Sequence, residues 1–226
     1  MKGIEIFIDE SGDFGQFDER CPYYIVTLVR HFADDPILAA IGELEYRLSL
    51  LGLENTPVHT SPAIRGEGIY HGMELAVRRR LLACFSLFLR KSALAYKTMA
   101  VRKKPGMDAD ALSNAIANEL DAFLSGIQHG RHGRCALSVV YDRGQPQLAK
   151  ILTTAFNGRF AEVRHLRSLP IYARLFQAAD FVCTMERIGL RFEDGVGFSK
   201  PELVFFETKR RFEKDWLKPL RKKLWV

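Results

Sequence analysis

The sequence predicts an α/β fold, a mixed five-stranded sheet flanked by helices, and three observations point to it. Near the N-terminus, Ile4–Asp9 shows the period-two pattern of a strand, and a second run, Tyr23–His31, follows it across a turn. Longer segments with helical periodicity are interleaved with short β-branched runs along the rest of the chain. One of those later runs, Cys135–Tyr141, ends at an aspartate, as the first run does. The first strands are expected to be antiparallel and the later ones parallel.

Ile4, Ile6 and Ile8 alternate with Glu5, Phe7 and Asp9, which makes a first strand ending at Asp9. Gly12, Asp13 and Gly15 turn the chain, and Tyr23–His31 follows as its hairpin partner. Asp34, Asp35 and Pro36 signal the start of a helix over Ile37–Leu51, with Gly52 as its stop. Residues 54–72 are rich in Gly, Pro, Ser and His, and read as the longest irregular loop and the most mobile element. Met73–Lys91 is a helix with Leu75, Leu81, Leu82, Phe85 and Phe88 at helical spacing. A strand over Leu94–Val101, a helix over Asp108–Gly126, the buried strand Cys135–Tyr141, a short helix Gln147–Phe156 and a weak strand Ala161–Leu166 follow. Ile171–Leu190 is a helix with an apolar stripe of Leu175, Ala178, Ala179, Val182 and Met185, and the chain from Glu202 is helical with a break near Pro219. With no repeat and no linker, residues 1–226 are expected to form a single domain. Helices within about 36–92 would be a side lobe shaping a groove, and about 200–226 a basic C-terminal extension.

The chain has 226 residues, 47% hydrophobic and 27% charged, too apolar for a disordered chain and long enough for a large core. Apolar stretches such as Leu81–Leu89 fall short of the roughly 20 residues that cross a bilayer. Glu5, Asp9 and Glu10 interrupt the place where a signal peptide needs its apolar core, so a soluble, cytoplasmic protein is expected. Cys21, Cys84, Cys135 and Cys183 lie far apart without a C-x-x-C pair, which argues against a zinc ribbon or a disulfide framework. The net charge of +6 favours a polyanionic partner, and its distribution is uneven. Residues 200–226 hold nine cations against four carboxylates, whereas the first twenty residues hold six carboxylates against Lys2 and Arg20. Carboxylates that hold a cation and basic residues that hold a phosphate backbone would be distributed in this way.

Three carboxylate positions stand out. Asp9, Glu10 and Asp13 lie at a strand end and its turn, the place where α/β folds put their sites. Asp142 follows a strand and precedes Gly144, where a helix N-cap is the plainer role. Asp180 sits mid-helix among Phe, Ala and Val, so a buried carboxylate there needs a partner. Arg174, Arg187 and Arg191 are the salt-bridge candidates, and Gln177 shares its face. Together, two strand-end aspartates and one on a C-terminal helix suit two hard divalent cations, Mg²⁺ or Mn²⁺. These would activate water and stabilise the leaving oxygen of a phosphodiester.

The strings IDESGD (8–13), VHTS (58–61), VVYDRG (139–144) and LFQAADFVC (175–183) resemble the characteristic blocks of the family known as domain of unknown function 3800, assigned to the ribonuclease H-like superfamily. The resemblance spans nearly the whole chain. It differs at Phe176 and Ala178, where the family block usually has Leu, a change of packing more than of chemistry. It implies a ribonuclease H-like core and a metal-dependent nuclease site at Asp9, Asp142 and Asp180, with Glu10 or Asp13 as a fourth ligand.

His59 falls where the resemblance places a recurring histidine, and with an ordinary pKa of about 6.5 it suits positioning or protonating a phosphate oxygen. Arg131 and Arg134, before the strand that leads to Asp142, are candidate phosphate contacts. So are Lys209, Arg210, Arg211, Arg221, Lys222 and Lys223, interleaved with Phe212, Trp216 and Trp225. Phe212, Trp216 and Leu220 at helical spacing are more often the inward face of an amphipathic helix, and the cations can occupy its other faces. The leading expectation is a divalent-metal-dependent nuclease that hydrolyses nucleic-acid phosphodiesters, DNA or RNA. The alternative is a non-catalytic nucleic-acid-binding accessory protein of the same fold. An aspartyl phosphatase of the haloacid dehalogenase type needs a second Asp where Ser11 stands, and a nucleotide-binding turn would not carry Asp13.

Overall fold

The computed structural model describes the chain except residues 1, 2, 20, 129–136, 142, 143, 158, 159, 161, 162, 167–171 and 226; of 127, 128 and 163–166 it describes the backbone. β1 (Ile4–Ser11) runs antiparallel to β2 (Tyr23–Phe32) on one side and parallel to β4 (Leu137–Tyr141) on the other. β3 (Ala95–Arg102) adds antiparallel to β2, and β5 (Val163–Leu166) adds parallel to β4, so the order is β3-β2-β1-β4-β5. The mixed sheet expected from the sequence is therefore present, with β1 at its centre.

Alternation along the strands supplies two faces. Ile4, Ile6 and Ile8 pack with Leu112, Ile116, Leu120 and Leu124 of α4 (Ala109–Gln128) and with Leu148, Leu152 and Phe156 of α5 (Pro146–Asn157). Phe7 and Val29 face the opposite layer, led by Leu175, Ala178, Val182 and Met185 of α6 (Ala173–Glu193). α1 (Leu38–Ser49) and α3 (Leu75–Lys91) share that second core, so the segment expected as a side lobe packs within the α6 layer. Among the described residues no helix is long and apolar enough to cross a membrane.

The segment expected as a mobile loop, 54–72, is instead ordered around α2 (Thr60–Arg65) and a 3₁₀ turn, Gly68–Tyr70. Gly66 ends α2 in the left-handed region at φ 71°, which an L side chain adopts only with strain. The Arg78 guanidinium donates to the carbonyls of Ala63 and Ile64 at 2.7 and 2.9 Å, satisfying the open end of α2. The Tyr70 hydroxyl donates to the Pro57 carbonyl at 2.6 Å and accepts the His59 N–H at 2.7 Å. The Gly and Pro punctuation is real, but buried Val58, Ala63, Ile64 and Tyr70 tie the segment down.

The C-terminal region also departs from expectation. α7 (Lys200–Phe206) ends at Glu207, whose φ is 67°, and that residue, rather than Pro219, breaks the helix. α8 (Lys209–Arg211), a π turn over Phe212–Leu217 and α9 (Lys218–Arg221) then follow without interruption. Proline lacks an N–H, and the widened turn before Pro219, in which Lys218 N–H reaches the Glu213 carbonyl, accommodates it. Past α9 the chain pairs with the sheet edge, Tyr96 N–H donating to Lys223 O at 2.9 Å and Trp225 N–H to Tyr96 O at 2.6 Å. Trp225 stands edge-on to Phe123 and under the Arg30 guanidinium. The tail covers an edge strand, a site otherwise open to foreign pairing.

At the far end of β1 from Asp9, Glu5 faces His31 directly across the β1–β2 register. His31 Nδ1 lies 2.8 Å from Glu5 Oε2, the Tyr172 hydroxyl donates to Oε1 at 2.8 Å, and His31 Nε2 donates to the Asp35 carbonyl at 3.2 Å. Burial pushes the Glu5 carboxyl up, yet the bonds to His31 and Tyr172 bring it below its ordinary value. Burial pushes His31 down, yet Glu5 and Asp35 carry it above its ordinary value. The His31 contribution is complete below its ordinary 6.5 and is lost as pH rises through the raised folded value. That of Glu5 is complete above 4.5 and is lost as pH falls through the lowered one. His31→Gln is therefore expected to lower the melting temperature most between those ordinary values and least in alkali. A loss independent of pH in paired melting curves would contradict a charged pair.

Candidate active site

Adjacent residues of a strand point to opposite faces, and that rule separates the two acids at the end of β1. Asp9 shares the face of Phe7 and meets α6, where Asp180 stands among buried Ala179, Phe181 and Cys183. Burial pushes Asp9 upward, and the charges of Asp180 and then Glu10 add to it, carrying its pKa to about 8. Burial likewise raises Asp180, with Thr60 hydrogen bonding and the charges of His59 and Arg187 acting in the other direction. The Thr60 backbone N–H donates to Asp180 Oδ2 at 2.7 Å, so α2 begins against this carboxylate. Cys183, next to both, is buried and its thiol is raised well above the ordinary value, first by burial and then by Asp9. That makes it inert packing rather than a nucleophile.

The arginines expected to neutralise Asp180 are engaged elsewhere or stand apart. Arg174 grips Glu45 through Nε and Nη2 at 2.6 and 3.0 Å and also donates to Gln177. Arg191 pairs with Glu202 at 2.8 Å. Arg187 makes no ion pair among the described residues and reaches Ser61 Oγ at 3.4 Å. Two carboxylates buried together in this way repel each other, a cost of roughly 4 kcal/mol for a pair about 4 Å apart at an effective dielectric near 20.

Glu10 turns to the other face. Its Oε1 accepts the Tyr141 hydroxyl at 3.0 Å and the Gln145 N–H at 3.3 Å, while Gln145 Nε2 donates to the Gly12 carbonyl at 2.8 Å. Burial raises its pKa against those bonds. Glu10 therefore ties β1 to the chain that follows β4, while its charge is still felt at Asp9. Asp13 is exposed and accepts the Gly15 N–H at 2.8 Å and Lys103 Nζ at 3.2 Å. His59 is exposed at the start of α2, and its charge is felt at Asp180. Asp142, Arg131 and Arg134 lie outside the described residues. Among the described residues no group of three or more His, Cys, Asp or Glu is assembled for a metal ion. Thr60 escaped sequence reasoning, and Arg187 was expected there only as one of three salt-bridge candidates for Asp180. Thr60-Ser61-Pro62, with proline in a first turn, carried a helix-start signal, and Arg187 follows Asp180 by seven residues on one helix face.

The basic C-terminal residues divide. Arg221 belongs to the fold: it pairs with buried Glu186 at 2.8 Å and with Glu193 at 3.2 Å, and Glu186 also accepts the Tyr96 hydroxyl at 2.6 Å. Lys223 Nζ donates to the Ser92 carbonyl at 2.6 Å, and burial lowers its pKa. Phe212 is fully buried and Trp216 packs on Phe181, Phe205 and Phe206, so these aromatics serve the core. Lys209 lies over the Phe192 ring and 3.7 Å from Glu213, and Arg211 pairs with Glu207. Arg210, Lys214 and Lys222 are exposed, and Arg210, Arg211 and Lys214 line an open groove with Thr208 and Asp215. Arg221→Ala, which leaves Glu186 buried without its cation, is expected to cost about 2 kcal/mol in denaturant unfolding, whereas Lys222→Ala changes nothing measurable. Equal losses in the two variants would refute this division.

No family model and no curated protein matches the chain. Among solved structures it is similar to a chain of the PCNA:RNase HII complex from Archaeoglobus fulgidus, at 18% identity over 95% of this chain and 89% of that one, with a TM-score of 0.35. It is also similar to the ribonuclease H2 from Pyrococcus horikoshii OT3, at 12% identity over 97% of this chain and 98% of that one, with a TM-score of 0.37. At TM-scores this low, neither likeness carries an argument about this chain.

Proposed function

We propose that this chain is a divalent-metal-dependent nuclease, in which Asp9, Asp180 and Asp142 hold Mg²⁺ or Mn²⁺ against a nucleic-acid phosphodiester. The observation that carries the reading is the Asp9–Asp180 pair, which has a buried setting, mutual repulsion and no ion pair to an arginine among the described residues, the charge of Arg187 acting on Asp180 only from a distance. Carboxylate oxygens are the ligands that hard divalent cations take, so the donor set fits such an ion. Asp142 completes it by position in the chain. Ile8 and Tyr141 are register partners, and Asp9 and Asp142 are the residues that follow them in sequence. The strand order β3-β2-β1-β4-β5, antiparallel then parallel, followed by a helix that bears a carboxylate, also suits the ribonuclease H-like core that the sequence blocks imply.

Bound there, the ion supplies Lewis-acid stabilisation and a water of lowered pKa. The chain's own residues orient the reaction. Thr60 N–H holds the Asp180 carboxylate, Glu10 and Gln145 fix the chain beyond β4, and His59 stands exposed where it can meet a phosphate oxygen. Lys209, Arg210, Arg211, Lys214 and Lys222 offer cations for the nucleic-acid backbone, a contribution that salt would weaken.

Calorimetric titration of EDTA-stripped protein with Mn²⁺, followed by cleavage assays on labelled DNA and RNA, tests the reading. Mn²⁺ binding and cleavage that EDTA abolishes are expected. Nucleic-acid binding that persists in EDTA without any turnover would establish the non-catalytic alternative instead.

A further inference from the structure

Each of two α6 arginines is paired with a carboxylate, Arg174 with Glu45 and Arg191 with Glu202. Arg187 differs. Among the described residues it has no carboxylate partner; its Nε, like that of Arg191, is buried without a hydrogen bond, and its sole hydrogen bond is the long one from Nη2 to Ser61 Oγ, 3.4 Å. The Ser61 hydroxyl already accepts Arg65 Nη1 at 2.7 Å, and Arg65 in turn pairs with Glu67. Arg187 is therefore lightly held, with its buried Nε free of any partner among the described residues. A desolvated N–H without an acceptor is rare in a native structure and calls for a ligand or an ordered water.

Its position narrows the choice of ligand. Seven residues after Asp180 is two turns, about 10 Å along the same helix face, and the Arg187 charge is felt at Asp180 without an ion pair between them among the described residues. A polyanion that approaches two acids must meet a cation there, and the planar fork of arginine matches a phosphate with two parallel N–H bonds. We infer that Arg187, steadied by Ser61, grips a backbone phosphate of the nucleic-acid strand next to the one presented to Asp9 and Asp180. This rests on the nuclease reading for the identity of the strand, yet it concerns binding and can fail separately.

The test is fluorescence anisotropy with a labelled mixed-sequence oligonucleotide, as DNA and as RNA, in EDTA over a range of salt. The proteins compared are wild type, Arg187→Gln and Arg187→Lys, with melting curves and Mn²⁺ titrations run alongside. Arg187→Gln is expected to bind about tenfold more weakly, with a salt slope shallower by about one, and to keep its Mn²⁺ affinity. Arg187→Lys keeps the charge and the slope but loses part of the affinity, and it carries the test if the glutamine variant does not fold. Wild-type affinity and slope in Arg187→Gln would overturn the inference, above all if its melting temperature fell, since Arg187 would then be a structural counterion of Asp180. A wild type that binds Mn²⁺ but no oligonucleotide would also sink it and leave the metal site standing. Arg187-dependent binding by a protein that never cleaves would sink the nuclease reading alone.

Discussion

Asp180→Asn is expected to abolish hydrolysis and yet to melt at a higher temperature than wild type in EDTA. The two effects share a cause. Asp9 is driven to about 8 by burial and by the neighbouring Asp180 charge, so in the metal-free protein the pair opposes folding. A carboxyl raised in this way binds protons more tightly when folded, and stability falls as pH rises from the ordinary 3.8 through that value. Asparagine removes one charge and keeps an amide oxygen that can accept the Thr60 N–H now donated to Asp180. A gain on the order of 2 kcal/mol near neutral pH follows, with a flatter pH profile. Turnover should fall by at least about a thousandfold, since a lost ligand removes several kcal/mol of transition-state stabilisation. Added Mn²⁺ should stabilise wild type more than the variant, because only an ion that binds the folded state shifts unfolding. Melting scans with and without Mn²⁺, set beside cleavage rates, decide the matter. A variant less stable in EDTA but with undiminished turnover would make Asp180 no more than a cap for α2.

The parts of this site that were legible in the sequence are those governed by local periodicity. Period-two alternation located β1, the apolar run after the glycine turn located β2, and helical spacing located α6 and the inward aromatics Phe212 and Trp216. The same alternation already separates Asp9 from Glu10, a consequence that the clustering of acids in IDESGD obscured. What local pattern does not carry is the choice of partner across the chain. Asp13 meets Lys103, Arg221 meets Glu186 and Thr60 meets Asp180 over separations of 35 to 120 residues, and these pairings decide which charges are free for chemistry. Residues 54–72 illustrate the point. Their breakers predict irregular backbone, but Tyr70 bonds to both Pro57 and His59, and order there comes from packing rather than propensity.

Gly144→Ala should be the most damaging substitution outside the carboxylates themselves, because the space a Cβ would need is already taken. The ideal Cβ position falls on the Tyr141 hydroxyl and the Glu10 carboxylate, which bond to each other at 3.0 Å. Neither can retreat cheaply. Tyr141 is held in β4, and Glu10 also accepts the Gln145 N–H immediately beyond the glycine. Alanine must therefore push the chain between Tyr141 and Gln145 away from β1, and Asp142 belongs to that stretch. Overpacking of this kind costs about 1–3 kcal/mol of stability. A displacement of about 1 Å at a reacting group costs on the order of a hundredfold in rate, so kcat should fall much further than the melting temperature suggests. Glu10→Gln is the companion variant. It keeps an oxygen for Tyr141 and Gln145, and as a positioning residue it should retain most of kcat and bind Mn²⁺ normally, whereas a metal ligand at Glu10 would lose both. Full activity in Gly144→Ala with an unchanged melting curve would refute the role assigned to this clamp. Loss of Mn²⁺ binding in Glu10→Gln would move Glu10 from the clamp to the metal.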